Sequence, residues 1–219
     1  MIRNLILLAT LFVTLLNVQT QNKSLDSIKT LKEFVAFSKK GKWKEARNKK
    51  GVTLNYRDLL FYDIETRLLS AKFKLKYNNI DSLISHIKEP KYIKLWNSSV
   101  KDVDILKNED TNWISHTTYA IPFPFKQQDL VARSTISKEG NSLIISSKSL
   151  PNYIQLKKGI NREGYNLSEW RLTKSINGII DVEFSTISLT NSSIPRFLKD
   201  PIIQRKLLSS FIKLKEKFL

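Results

Sequence analysis

Few side chains in this sequence could do acid–base or nucleophilic work. It has no cysteine, and its two histidines, His86 and His116, are far apart in the chain. Nucleophilic catalysis needs a base beside an activated side chain. His116 falls on a stretch that reads as a strand, near Glu109 and Asp110, so a Ser-His-acid set is conceivable there. No nucleophile elbow or comparable context accompanies it. His86 comes late in a short helical stretch, where an imidazole can complement the helix dipole. Two separated histidines, with no His-x-x-x-His pair and no carboxylate cluster, make a poor zinc or iron site. Six glycines without a Gly-x-Gly-x-x-Gly or Walker loop give no phosphate cradle. The expectation is no catalytic residue, no metal and no cofactor.

What remains is a set of side chains suited to holding an apolar molecule. Trp113, Thr117 and Tyr119 alternate along one predicted strand, and Leu130, Ala132 and Ser134 along the next, with Arg133 facing water. Leu207 and Phe211, from a terminal helix, would close over them. Small residues such as Ala132 and Ser134, where a packed sheet would carry bulk, point to a hollow. An apolar pocket with a few polar groups is the usual small-molecule site.

These residues need elements to position them. Asp200-Pro201 reads as a helix start, and Ile203, Leu207, Phe211, Leu214 and Phe218 then share one stripe up to Leu219, widened by Leu208 and Ile212. Gln204 and Lys215 interrupt that face, which suits a partly polar or hollow partner surface. At the other end, Ser24 is a candidate N-cap for a helix carrying Leu25, Ile28, Leu31, Phe34 and Val35, stopped by Lys39-Lys40-Gly41. Three strands follow, Trp43 to Arg47, Val52 to Tyr56 and Ile64 to Leu75, the last with no clear burial face. A helix over Asn79 to Ile87, a break at Pro90 and a continuation over Tyr92 to Trp96 come next. Strand signals then run over Val103 to Leu106, Trp113 to Ile121, Leu130 to Ser137 and Leu143 to Ser149, with a hairpin turn at Lys138 to Asn141. A last pair, Glu169 to Lys174 and Ile179 to Leu189, flanks the turn Ser175 to Gly178. This order describes an α+β fold in which a highly curved antiparallel sheet of about nine strands wraps a long C-terminal helix.

A chain of 219 residues, 41% hydrophobic and 26% charged, is long enough for one domain with a real core. Lys and Arg number 37 against 20 acids, a net charge of +17. Such a surface favours anionic partners, among them a membrane surface. The basic residues are scattered, without a dense run, and no nucleic-acid partner is expected. Met1 to Gln21 reads as a secretory signal peptide, with Arg3 as its positive start and Leu5 to Leu16 as an apolar run too short to span a bilayer. The single domain is therefore expected over 22–219, in a periplasmic or secreted protein, as a monomer.

Several segments taken together resemble the START domains, in their bacterial secreted form. Pro122-Phe123-Pro124-Phe125 followed by Asp129 and Val131 is similar to that family's Pro-aromatic-Pro turn and Arg-Asp-x-Val strand start, with Gln128 in place of the Arg. Gly159 and Arg162, with Trp170 eight residues on, resemble its Gly-x-x-Arg segment and the Trp that opens the next strand. Ser193-Ile194-Pro195-Arg196-Phe197-Leu198 is similar to the approach to the final helix, although Leu189-Thr190-Asn191 replaces the usual Asp-Pro-Gly-Gly. Trp43, Gly51-Val52 and Tyr56-Arg57 also fit. The resemblance, from Trp43 to Phe218, implies a helix-grip fold enclosing a hydrophobic tunnel, with Trp170 among its lining. It implies non-catalytic binding or transport of a lipid or other hydrophobic small molecule. The rival readings are a helix-grip enzyme with His116 as its base, and a basic envelope-surface protein with no pocket ligand.

Overall fold

A computed structural model of the chain describes residues 24–76, 79–121, 126–189 and 196–218. The predicted signal segment Met1–Gln21 lies outside them, as do Pro122–Phe125 and Ser193–Pro195.

Eleven strands form one sheet: β1 (Lys39–Lys40), β2 (Lys44–Lys49), β3 (Val52–Phe61), β4 (Ile64–Lys76), β5 (Val100–Asn108), β6 (Asn112–Tyr119), β7 (Gln128–Glu139), β8 (Ser142–Ser149), β9 (Asn161–Arg162), β10 (Asn166–Lys174) and β11 (Ile179–Ser188). The order is β1-β3-β4-β11-β10-β8-β7-β6-β5, with β2 paired to β3 and β9 to β7. All pairings are antiparallel except β7 with β9. The sheet is not closed into a barrel. Turn chemistry agrees with the hairpins. Lys50 and Gly51, both at positive φ, make the two-residue β2–β3 turn, and Asn177 and Gly178, also at positive φ, end the four-residue loop 175–178 before β11. Register shifts between Glu45 and Arg47, Val100 and Asp102, and Ile105 and Lys107 mark bulges in β2 and β5, which bend the outer strands.

The nine strands read from the sequence are present and mostly longer than expected. The two additional ones, β1 and β9, are too short to carry an alternation signal. Lys39-Lys40, expected as a helix stop, is β1, paired with Leu59 and Leu60.

Four α-helices accompany the sheet: α1 (Leu31–Ala36), α2 (Ile80–Lys88), α3 (Pro90–Trp96) and α4 (Arg196–Glu216). The single N-terminal helix expected from Ser24 is instead a 3-10 turn over Leu25–Ser27 and then α1. Thr30, not Ser24, is the working cap, accepting from the Glu33 N–H at 3.2 Å. The helix–break–helix over 79–96 is as read, with the Asn79 side chain accepting from the N–H groups of Asp81 and Ser82 and Pro90 opening α3. The C-terminal helix starts earlier than expected, so that Pro201 lies inside it. Asp200 does not serve as its cap because its carboxylate is paired with Arg67, which also holds Asp58 at 2.9 Å.

Two hydrophobic clusters lie on opposite faces of the sheet. The inner one joins Val52, Leu54, Ala71, Phe73, Trp170, Leu172 and Val182 to Leu208, Phe211, Leu214 and Phe218 of α4. The outer one joins Ile28, Leu31 and Phe34 to Leu59, Phe61, Leu68, Leu167 and Ile187. The missing burial face of β4 has its reason here. Thr66, Leu68 and Ser70 are buried on one side and Ala71, Phe73 and Leu75 on the other, so the buried face changes midway along the strand. On α4, Ile203 is solvent-exposed, in contrast to the expected stripe, and Ser210 is buried within it at 1% exposure.

Candidate ligand cavity

Between the concave side of the sheet and α4 lies a cavity of about 170 Å³. Alternation along β6 turns Trp113, Ser115, Thr117 and Tyr119 into it. Register then extends the lining sideways. Trp113 stands opposite Ser134, Ser134 opposite Ser147, and Ser147 opposite Ser168, so three serines make a row across β7, β8 and β10. Trp170 and Phe184, directly paired, continue the wall, and Leu207, Ser210 and Phe211 close it from α4. The helical pair supplies Ile87, Lys88, Ile93 and Trp96.

Aromatic packing fixes the floor. The Phe211 ring is 5.6 Å from Trp170, edge to face, and 5.3 Å from Phe184, while Trp96 meets Trp170 edge to face at 6.0 Å. Each such pair contributes about 0.5–1.5 kcal/mol beyond area burial. The polar groups are partly committed. Ser134 and Ser147 share a hydrogen bond of 2.7 Å, and the Ser210 hydroxyl donates to the Lys206 carbonyl at 2.8 Å. Burial pushes the Tyr119 phenol well above its ordinary pKa, helped by the charges of Glu163 and Asp129, so it stays a neutral donor. Lys206 donates to the Ala120 carbonyl, tying α4 to the chain just after β6.

Of the nine residues singled out from the sequence, the fold brings seven to this cavity: Trp113, Thr117, Tyr119, Ser134, Trp170, Leu207 and Phe211. Leu130 and Ala132 are opposite Thr117 and Ser115 and so share their sheet face, but they do not line the space. Ser115, between Trp113 and Thr117 on the same alternation, could have been included. Ser147 and Ser168 needed the register, and Trp96 and Lys88 needed the docking of α2 and α3, neither of which the sequence reveals.

His116 turns away from the cavity, between the lining residues Ser115 and Thr117. Its Nε2 is 2.8 Å from Asp129, which Arg162 grips through Nε at 3.0 Å and Nη2 at 2.6 Å. Arg162 Nη1 also donates to the carbonyls of Pro151 and Ile154, at 3.1 and 2.6 Å, holding that loop over β6 and β7. Burial raises the Asp129 pKa, but hydrogen bonds from Arg162 and His116 and their charges outweigh it and hold the carboxyl below its usual value. An acid does accompany His116, then, but on the side away from the cavity.

A wider depression of about 530 Å³, bounded by Lys39, Lys40, Asp58, Glu65 and Arg67 among others, lies open at the β1 edge. Charged walls open to water cannot desolvate an apolar guest, so the enclosed aromatic cavity is the better ligand site. Among the described residues, no group of three or more His, Asp or Glu side chains is placed to hold a metal ion, and no helix is long and apolar enough to cross a membrane.

No family profile matches the chain. An uncharacterised Pseudomonas aeruginosa protein is 25% identical over 109 residues, 49% of this chain and 54% of that one, so the chain spans about half the length of the curated relative it matches. The crystal structure of a Xanthomonas axonopodis STAR-related lipid transfer protein superposes with a TM-score of 0.71, at 21% identity, covering 80% of this chain and 98% of that one. Human StAR-related lipid transfer protein 5 gives 0.69 at 15% identity, over 80% and 86%. A Streptomyces aromatase/cyclase gives 0.51 at 10%, over 69% and 93%. The curved sheet gripping a C-terminal helix is the helix-grip fold of the START domains.

Proposed function

We propose that the protein is a non-catalytic carrier or binding protein for one lipid or other hydrophobic small molecule, held between the concave sheet and α4. The observation that carries this reading is the cavity itself, walled by Trp96, Trp113, Trp170, Phe184 and Phe211 inside a fold shared with lipid transfer proteins. Burying apolar ligand surface there would drive binding at roughly 25 cal/mol per Å². The seven sequence-named residues that line it are proposed as ligand contacts, with Leu130 and Ala132 supporting the wall from its margin. Movement of α4 admits the ligand. The outward His116 removes the best base for a helix-grip enzyme, which favours the carrier reading over the cyclase-like alternative. The protein acts as a monomer in the periplasm or outside the cell after loss of its signal segment, and its charge, +16 once Arg3 is removed from the full-length +17 (36 basic against 20 acidic residues), draws it to anionic membranes.

The test is native mass spectrometry of the mature protein from its own cell envelope, followed by solvent extraction. A stoichiometric hydrophobic adduct is expected. A clean apo mass, with no uptake from a total lipid extract, overturns the carrier reading and leaves surface binding of polyanions.

A further inference from the structure

Among the described residues lining the cavity, only Lys88 is charged. It is the last residue of α2, and its ammonium lies 5.2 Å from the centre of the Trp113 ring, over its face. One proton is used, on the Glu109 carbonyl at 3.2 Å. An ammonium has three donors. Among the described residues no carboxylate pairs with it: the neighbouring Glu109 carboxylate is taken by Lys107 at 2.6 Å and by Asn112. The charge and its spare donors therefore stand at an apolar wall without a counter-ion. Directly opposite Trp113 begins the serine row Ser134, Ser147 and Ser168, so hydroxyls continue from the cationic corner across the sheet. A neutral hydrocarbon guest would leave the Lys88 charge and its spare donors without a counter-ion, which is costly where the guest displaces water.

We infer that the ligand is a singly anionic amphiphile, its acidic head paired with Lys88 and its polar edge along the serine row, while the apolar remainder packs on Trp170 and Phe211. This rests on the carrier reading and narrows it to a class. A carboxylate and a phosphate monoester share the required chemistry, and the carboxylate is the simpler probe.

The experiment titrates the mature protein with decanoate and with methyl decanoate near neutral pH, following the fluorescence of the cavity tryptophans. The wild type is expected to bind the acid at least about tenfold more tightly than the ester, as a charge-assisted hydrogen bond provides. Lys88→Met should bring the two within about twofold, chiefly by weakening binding of the acid, and Lys88→Arg should keep the preference. Equal affinity of the wild type for both probes overturns the inference and leaves the carrier reading standing. So does a Lys88→Met protein that loses both equally, or one that keeps the preference. Should Lys88→Met fail to fold, Lys88→Gln carries the same comparison. Failure of both probes to bind the wild type also overturns it, and with a clean apo mass it overturns the carrier reading too.

Discussion

Replacing Asp129 with Ala tests the buried cluster behind β6 and β7. The Arg162 side chain is 5% exposed and that of His116 is 11% exposed, so both would face a vacated site that water reaches poorly. Removing one partner of a buried ion pair costs about 3–5 kcal/mol, because the remaining charge stays desolvated. In a domain of this length each kcal/mol lowers Tm by about 2–4 °C, so a fall of roughly 6–20 °C is expected in a calorimetric scan at neutral pH. The pH dependence has a definite sign. The carboxyl is held below its unfolded value of about 3.9, so its stabilisation is present above that value and is lost as pH falls through the folded one. An Asp129→Asn protein should therefore be clearly weaker than wild type at pH 6, with the difference shrinking below about pH 4. Adding Arg162→Met to the Asp129→Ala protein should recover part of the loss by removing the stranded charge. A Tm change under about 2 °C for Asp129→Ala, or a gap between Asp129→Asn and wild type that is the same at pH 6 and pH 3, would refute this account of the cluster.

Two further substitutions probe the cavity and the fold. Ser134→Trp should fill the space beside Trp113 and abolish hydrophobic adducts in native mass spectra, at about 1–3 kcal/mol of overpacking seen in urea titration. Gly51→Ala should cost about 1–2 kcal/mol by thermal unfolding, because φ there is +70° and a Cβ would come within 2.5 Å of the Lys215 amine.

Periodicity was informative wherever one face of an element is buried along its whole length. The alternation of β6 marked Trp113, Thr117 and Tyr119, and the Asn79 and Pro90 signals set the helical pair. It was misleading where tertiary contacts override local preference. Asp200-Pro201 has the chemistry of a helix start, but Arg67, distant in sequence, takes the Asp carboxylate. In β4 the apolar residues change face between Ser70 and Ala71, so neither parity is favoured over the strand as a whole. Cavity residues contributed by cross-strand neighbours, Ser147 and Ser168, carry no local signal at all, since serine on a strand has no pattern to break.

If the proposed carrier function holds, the change of face in β4 has a consequence for a protein that would exist both loaded and empty. A hollow interior forfeits contacts when its guest leaves, and a single inner core would carry that whole loss. Here the same strand is also clamped from behind by Leu59, Phe61, Phe34 and Leu68, none of which touches the cavity. The Phe34 and Phe61 rings stack 4.7 Å apart on the face of the sheet away from the cavity, where a guest would not touch them. On the carrier reading, release of the cargo would leave this second core intact.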